Sequence, residues 1–306
     1  MRKPLLVVIA GPTASGKTDL SLRLARHFGS VILSADSRQL YHEIPIGSAA
    51  PSPEQRALVP HYFIGDRSLT SPCNASQFGD EVLAVLEVVF KSYSCAFLVG
   101  GSGLYIDAVC KGFDTLPDPD PEVRAQVHSI YSEKGIEGLQ QCLLTLDPDY
   151  YSMVDLKNPV RLMRAIEVCF ITGQPFSSLR KGKVHQRPFR ILKIALNLPR
   201  EELFNRIALR TDAMMEAGLL REALSVIHLR HLNTLRTVGY EELFAYADGK
   251  CSLPEAIEKI KVNTRRYAKR QLTWFKKDME YRWFLPNDYD NLVRLIEAEL
   301  TRNNNP

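Results

Sequence analysis

Leu5-Leu6-Val7-Val8-Ile9-Ala10-Gly11-Pro12-Thr13-Ala14-Ser15-Gly16-Lys17-Thr18 joins an unbroken apolar run to a loop matching G-x-x-x-x-G-K-[ST]. Asp19-Leu20-Ser21-Leu22-Arg23-Leu24-Ala25-Arg26-His27-Phe28 follows with helical spacing. Strand, phosphate loop and helix therefore stand in the order the motif needs. The glycines let successive backbone N–H groups turn inward, and the N-terminal end of the helix adds positive potential at the same spot. Lys17 supplies a full charge, and Thr18 supplies a hydroxyl for a divalent ion, most often Mg2+. Gly11, Pro12, Thr13, Ala14, Ser15, Gly16, Lys17 and Thr18 are thus expected to hold a di- or triphosphate. A chance glycine turn is the competing reading, and the flanking strand and helix count against it. The loop alone does not say what is done with the phosphate.

Outward from the loop, Ser30-Val31-Ile32-Leu33-Ser34-Ala35 reads as a second buried strand ending in Asp36-Ser37-Arg38-Gln39-Leu40-Tyr41. In an open parallel sheet the carboxyl ends of the strands line the ligand crevice, so Asp36 is expected to face the phosphate loop. A carboxylate there can bind a metal's water shell or take a proton from an attacking group; as a turn former it would do neither. Ser37, Arg38 and Gln39 beside it favour function, because Arg and Gln offer forked donors for a base edge or a phosphate. From Ile44 to Phe78 the chain carries Pro45, Pro51, Pro53, Pro60 and Pro72 and predicts an irregular flap over the site. A helix from about Phe78 to Ser92 leads into a strand, Cys95 to Val99, that ends in Gly100-Gly101-Ser102-Gly103-Leu104-Tyr105. Many phosphate-loop hydrolases end the equivalent strand in a metal-holding acid. Here a small turn presents Ser102, whose hydroxyl can reach Asp36 or a phosphate oxygen; a plain glycine turn is the alternative.

The 306 residues, 45% hydrophobic and 24% charged with a net charge of +4, are ample for a buried core. No apolar run approaches the ~20 residues of a membrane helix, and the N-terminus enters the first strand with no cleavable signal, so a cytoplasmic protein with no membrane contact is expected. Cys73, Cys95, Cys110, Cys142, Cys169 and Cys251 are scattered without a C-x-x-C pair and read as reduced packing residues. His228 and His231 share an expected helix face but lack partners at metal-ligand spacing. A monomer is expected.

Leu116-Pro117-Asp118-Pro119-Asp120-Pro121 is a rigid exit from the sheet. Asp118 and Asp120 could mimic a metal pair, but solvating a proline-rich linker is the simpler role. Helical patterns then cover Glu122 to Lys134, Gly135 to Thr145 and Asn158 to Thr172. No strand reappears until Arg190 to Leu198. The spacing predicts an α/β fold, a P-loop NTPase-like parallel sheet flanked by helices with an all-helical insertion domain. Residues 1–116 form the first part of the core, 117–189 the insertion with its basic loop from Arg180 to Arg187, and 190–306 the second part with basic C-terminal helices. In the last part Arg206 and Arg210 lie at i, i+4, where they can reach a phosphate. The last long helix carries Lys259, Lys261, Arg265, Arg266, Lys269, Arg270, Lys276 and Lys277 among Tyr267, Trp274 and Phe275, with no acid from Lys259 through Lys277. Such a run with aromatics points to a nucleic-acid backbone as partner.

Taken together, Gly11 to Thr18, Asp36 to Tyr41, Val59-Pro60-His61-Tyr62 and Gly100 to Tyr105 resemble the tRNA dimethylallyltransferase (tRNA isopentenyltransferase) family. So do Asp155 to Arg161, Arg164 to Val168, Arg210-Thr211-Asp212-Ala213-Met214-Met215 and Ala268 to Phe275. The similarity spans nearly the whole chain. It departs where the family commonly has Thr for Ser102, and G-T-A-K-P for Gly47-Ser48-Ala49-Ala50-Pro51, which removes one lysine contact. With no C-terminal zinc finger, the chain is similar to the bacterial members.

The resemblance implies transfer of a dimethylallyl group from dimethylallyl diphosphate to N6 of the adenosine 3′-adjacent to the anticodon in tRNA. It implies Asp36, Lys17, Ser102 and Arg210 as catalytic residues and Mg2+ on Thr18. It implies an anticodon stem-loop held by Asp36, Ser37, Arg38, Gln39, Ser102, Arg124, Arg161, Leu162, Met163, Arg164, Ala165, Gly239 and Tyr240, with the insertion gripping tRNA. The chemistry agrees with the residues, since a loop that cradles phosphates suits a diphosphate leaving group, and a feebly basic exocyclic amine needs its proton taken. The target base must leave its stack to reach such a site. Three rivals remain: a small-molecule or nucleotide kinase, an adenylate isopentenyltransferase acting on free AMP, and a non-catalytic RNA-binding P-loop protein. A GTPase lacks support, because no N-K-x-D motif is present.

Overall fold

In the computed structural model, which describes residues 3–182 and 184–302, the chain divides into two compact units. One comprises residues 1–110 and 186–306, the other 111–185. Lys183, part of the expected basic loop, lies outside the described residues.

The first unit is built on six parallel strands: β1 (Leu5–Ala10), β2 (Ile32–Ser34), β3 (His61–Tyr62), β4 (Cys95–Gly100), β5 (Arg190–Leu196) and β6 (Arg282–Phe284), in the order β3-β2-β4-β1-β5-β6. β1 is central, pairing Val7 with Phe97 on one side and with Leu192 on the other, and all of its residues are buried. A strand covered on both faces needs a continuous apolar run, which is why Leu5 to Ala10 shows no alternation. Leu5, Val7 and Ile9 form one core with Leu20 and Leu24 of the helix Lys17–His27 and with Leu292 and Ile296 of the helix Tyr289–Thr301. Each such side chain contributes about 1.5–3 kcal/mol on burial.

β4 inserts between β1 and β2, so the carboxyl ends of these strands converge where the strand order reverses, the place where open α/β sheets bind ligands. The approach is close. Ala35 N donates to Val99 O at 2.8 Å and Ser102 N to Ala35 O at 3.2 Å, and a Cβ on Gly100 would collide with the Ala35 carbonyl.

Several expected boundaries move for local reasons. The helix expected from Phe78 runs Ala75–Val89, because Asn74 and Gln77 form a reciprocal capping box. The flap expected to be irregular contains the helix Pro53–Leu58, started by Ser52 and Gln55 in the same way, and β3. The basic helix, Leu253–Phe275, is followed by β6 and Tyr289–Thr301, so it is not the last long one. His228 lies on a 3-10 turn, Ile227–Leu229, with His231 beyond it, so they share no helix face. Cys73, Cys95, Cys110 and Cys169 are buried, and Cys142 and Cys251 are half-buried.

The second unit is helical, with Pro121–Leu146, Pro148–Met153, Pro159–Thr172 and Phe176–Leu179 around Val127, Leu139, Leu143, Leu162, Ile166 and Phe176. Its limits fall at 111 and 185 rather than 117 and 189, because the connecting segments bond to each other: His185 N donates to Lys111 O at 2.8 Å and Gly182 N to Asp114 at 2.8 Å. Pro121–Leu146 is kinked at Gly135 (φ 64°). Asp120 caps that helix, accepting from Glu122 N and Val123 N at 2.8 and 2.9 Å, and is more than a solvated linker residue.

Candidate active site

A cleft of about 620 Å³ opens at the convergent strand ends of the first unit. Its floor is the phosphate loop. Gly11 (φ 149°) carries the chain past β5 so closely that a Cβ would sit 2.8 Å from Leu196 O. Gly16 (φ 85°) turns it into the helix. Thr13 to Thr18 line the cleft, whereas Gly11 and Pro12 lie behind it and serve through their carbonyls. Lys17 Nζ donates to Pro12 O at 2.7 Å and Gly11 O at 3.0 Å. Burial, with repulsion from Arg210 and against the attraction of Asp36, pulls its pKa from 10.5 down to about 7. The Ser15 hydroxyl is buried and unpartnered among the described residues, an orphan donor inside the cradle.

Cationic groups approach the loop from the helix Arg200–Glu216. Arg210 donates to Thr13 Oγ1 at 3.2 Å, and burial pushes its pKa down while Asp36 holds it up. Arg206 lines the same cleft and pairs with Glu202 at 2.8 Å. Gln271 accepts from Thr13 N at 2.8 Å and donates to Gly101 O at 3.0 Å, tying the phosphate loop to the turn after β4.

Asp36, Ser37, Arg38 and Gln39 line the cleft from the end of β2. Asp36 Oδ1 accepts from Arg38 N at 2.9 Å, which fixes the carboxylate at the head of its own turn. Tyr267 shares the cleft, its phenol pushed up to about 12 by burial and by the Asp36 charge. Ser102 is placed differently from the expectation. Its hydroxyl accepts from Ser37 N at 3.0 Å and donates to Ser37 Oγ at 3.3 Å, so it braces the residue after Asp36 rather than Asp36 itself.

The residues expected to grip RNA separate into different surroundings. Gly239 and Tyr240 line the cleft, but Tyr240 is 1% exposed and donates its hydroxyl to Glu222 at 2.6 Å, so its phenol cannot grip an anticodon arm. In the helical unit Leu162 and Ala165 are fully buried in the core, because the apolar stripe of Pro159–Thr172 faces inward there; their side chains pack and do not touch a ligand. Arg161 is exposed and Met163 partly so. Arg124 and Arg164 both hold the buried Glu167, at 3.2 and 2.9 Å, and Arg164 also donates to Pro117 O at 2.7 Å. Residue patterns gave Gln271 and Glu222 no role. Gln271 was detectable, as a polar residue at helical spacing with buried Ile260, Ala268 and Phe275; Glu222 left no such trace.

A parallel sheet with the phosphate loop at its reversal point and cationic side chains lining the same cleft defines a protein of P-loop NTPase-like fold. A family profile described as IPP transferase matches residues 39–278. The chain is 50% identical over 296 residues to tRNA dimethylallyltransferase 1 of Bacteroides thetaiotaomicron, covering 97% of this chain and 96% of that protein. It is 45% identical over 295 residues to tRNA dimethylallyltransferase of Cytophaga hutchinsonii, covering 96% and 97%. Among solved structures it is similar to the full-length tRNA isopentenylpyrophosphate transferase of Bacillus halodurans (TM-score 0.72, 32% identity, 97% of each chain). A eukaryotic dimethylallyltransferase acting on tRNA shares the fold (TM-score 0.76, 24% identity, 96% of this chain and 78% of that one). The chain belongs to the tRNA dimethylallyltransferase family and is a prenyl-transferring enzyme.

Proposed function

We propose that this chain transfers the dimethylallyl group of dimethylallyl diphosphate to N6 of the adenosine 3′-adjacent to the anticodon in tRNA. The observation that carries this reading is a single cleft in which Lys17 and Arg210 flank a phosphate loop while the Asp36 to Gln39 segment lines the same space. The diphosphate lies against the Gly16, Lys17 and Thr18 amides, with Lys17 and Arg210 taking up charge as the C–O bond to the prenyl carbon breaks. The N6 lone pair forms the new N–C bond, and its proton passes to Asp36. A positioned base of this kind contributes about 10²–10⁴-fold. Ser102 holds Ser37 and thereby the backbone beside Asp36.

Magnesium suits these residues. Among the described residues no group of three or more His, Cys, Asp or Glu could hold a metal alone, but Thr18, Asp19 and Asp36 line the cleft beside the cradle. That donor set fits an ion that takes most of its oxygens from phosphate and water. Thr18 would hold it, with Asp36 reaching its water shell, and it would add positive charge at the leaving group.

Arg161 on the helical unit and the exposed Arg266, Lys269 and Arg270 of Leu253–Phe275 are proposed tRNA contacts. A monomer working in the cytoplasm is the accompanying expectation. Among the described residues no helix is long and apolar enough to cross a membrane.

The test is one set of incubations: labelled dimethylallyl diphosphate with unmodified tRNA or with AMP, and labelled ATP with either. Label entering tRNA alone is expected. Label in AMP would make the chain an adenylate isopentenyltransferase, and phosphate transfer from ATP would make it a kinase.

A further inference from the structure

Glu222 lies behind the cleft wall, 9% exposed, on the short helix Leu219–Ser225. Its carboxylate takes three hydrogen bonds: Ile46 N at 2.7 Å on Oε2, and Gly47 N at 2.8 Å and Tyr240 Oη at 2.6 Å on Oε1. Burying a carboxylate is costly unless its lone pairs are filled, and here two of the three donors come from one tight turn of the chain. Tyr240 is itself fixed, because Glu242 caps its helix by accepting from Gly239 N at 2.7 Å and is held by Asn263 at 2.6 Å. The phenol is pushed upward by burial and by the Glu222 charge and stays a donor. Gly47 has no alternative, since a Cβ there would collide with the Tyr240 ring.

The clamped turn acts on the cleft. Ser48 N and Ala50 N close it onto Ile44 O and Pro45 O at 3.2 and 3.0 Å. Its Ala49 and Ser48 carbonyls then accept from Gln39 Nε2 at 3.1 and 3.4 Å, while Gln39 Oε1 accepts from Ser34 Oγ at 2.8 Å. Both ends of the Gln39 amide are thereby set, and one lone pair of Oε1 remains for a donor on an incoming base. The phosphate loop receives none of these bonds.

We propose that Glu222 is a positioning residue for the acceptor nucleoside, acting through the 46–49 turn on Gln39 and leaving the donor half of the cleft alone. The inference rests on the prenyl-transfer reading above. Glu222→Gln keeps the shape but turns an NH2 toward a backbone N–H, so at least one clamp bond is lost. The expected result is a fall of about tenfold or more in kcat/KM for tRNA, with KM for dimethylallyl diphosphate and the affinity for inorganic diphosphate within about twofold of wild type. Tyr240→Phe, which removes one bond without inverting a donor, should shift the same parameter by a smaller factor, and it decides the matter if Glu222→Gln fails to fold. In a Gln39→Ala background either substitution should lose most of its effect. Unchanged tRNA kinetics, donor and acceptor constants moving in parallel, or full additivity with Gln39→Ala would each overturn the proposal. A wild-type enzyme that prenylates no tRNA removes the underlying reading as well, whereas an active wild type with an indifferent Glu222→Gln removes this inference alone.

Discussion

Arg210 reaches Thr13 Oγ1 at 3.2 Å across 197 residues of chain. A helix that is no part of the phosphate loop thus supplies its second cation, held buried with Asp36 as its counter-charge. In the proposed mechanism the guanidinium would meet charge that develops late, as the diphosphate leaves. Arg210→Ala is expected to lower kcat by about 10²-fold or more and to raise the donor KM; Arg210→Lys should recover part of the loss, because the charge returns without the fork. Steady-state kinetics in varied donor check this, and an unaltered kcat would take Arg210 out of the reaction.

Lys17 predicts a pH dependence. Burial, aided by Arg210 and opposed by Asp36, brings its pKa to about 7 in the ligand-free protein, against 10.5 for an ordinary lysine. A bound diphosphate favours the ammonium, so binding raises that pKa and takes up a proton at pH values above about 7. Affinity for diphosphate should therefore fall as pH rises through and beyond neutrality. For the unliganded fold the sign is the reverse: the unfolded chain binds the extra proton between the two values, so stability rises with pH across that window. Calorimetric titration with inorganic diphosphate in buffers of different ionisation enthalpy measures the proton uptake. Lys17→Met supplies the baseline, because diphosphate itself titrates, and equal uptake in both proteins would refute the assignment.

The parts of the molecule that follow local rules are legible in the residues themselves. Leu5 to Ala10 is apolar throughout because β1 is covered on both faces, and Gly11 to Thr18 obeys a spacing imposed by backbone geometry. Asp36 lines the cleft, as its position at a strand end predicts. What escapes such reading depends on partners far along the chain. Ser102 turns to Ser37 instead of Asp36, and Tyr240 turns inward to Glu222, and neither choice is written in the flanking residues. Leu162 and Ala165 lie beside exposed Arg161 in sequence, yet the helical stripe buries them. The unbroken basic run also hides an unequal distribution, since Lys261 is already paired with Asp212 at 2.9 Å and Glu258 at 3.0 Å.

Gln271 gives a stability prediction. It is 6% exposed, and its amide satisfies one backbone donor and one backbone acceptor on different loops. Gln271→Ala leaves Gly101 O buried without a partner, at about 1–3 kcal/mol, and frees the half-buried Thr13 N. Denaturant unfolding should show a lower midpoint with an unchanged slope, and donor KM should rise because the Thr13 backbone is released. A midpoint equal to wild type would mean that water replaces the amide.

A substitution at Asp36 tests the proposed division between binding and chemistry. Its carboxylate is anchored by Arg38 N through Oδ1, an anchor that Asp36→Asn can preserve through its carbonyl oxygen. The variant keeps the turn and loses the base, so kcat should drop about 10²–10⁴-fold. Diphosphate binding should change little by comparison. A variant that retains its rate would leave proton removal to solvent.

The basic helix Leu253–Phe275 offers the last test, and its side chains differ in how free they are. Arg265 is partly buried with its guanidinium 5.2 Å from the Phe204 ring, whereas Arg266, Lys269 and Arg270 are exposed. If that exposed face meets a phosphate backbone, each charge removed reduces the slope of log affinity against log salt by about 0.7–0.9. Replacing Arg266, Lys269 and Arg270 by Gln should flatten the salt dependence of tRNA binding by about two units in all. Lys261→Gln should leave the slope nearly as it was, because its charge is already spent on Asp212 and Glu258. Filter binding over a range of salt concentrations reads both, and a triple variant with the wild-type slope would turn this face away from the RNA.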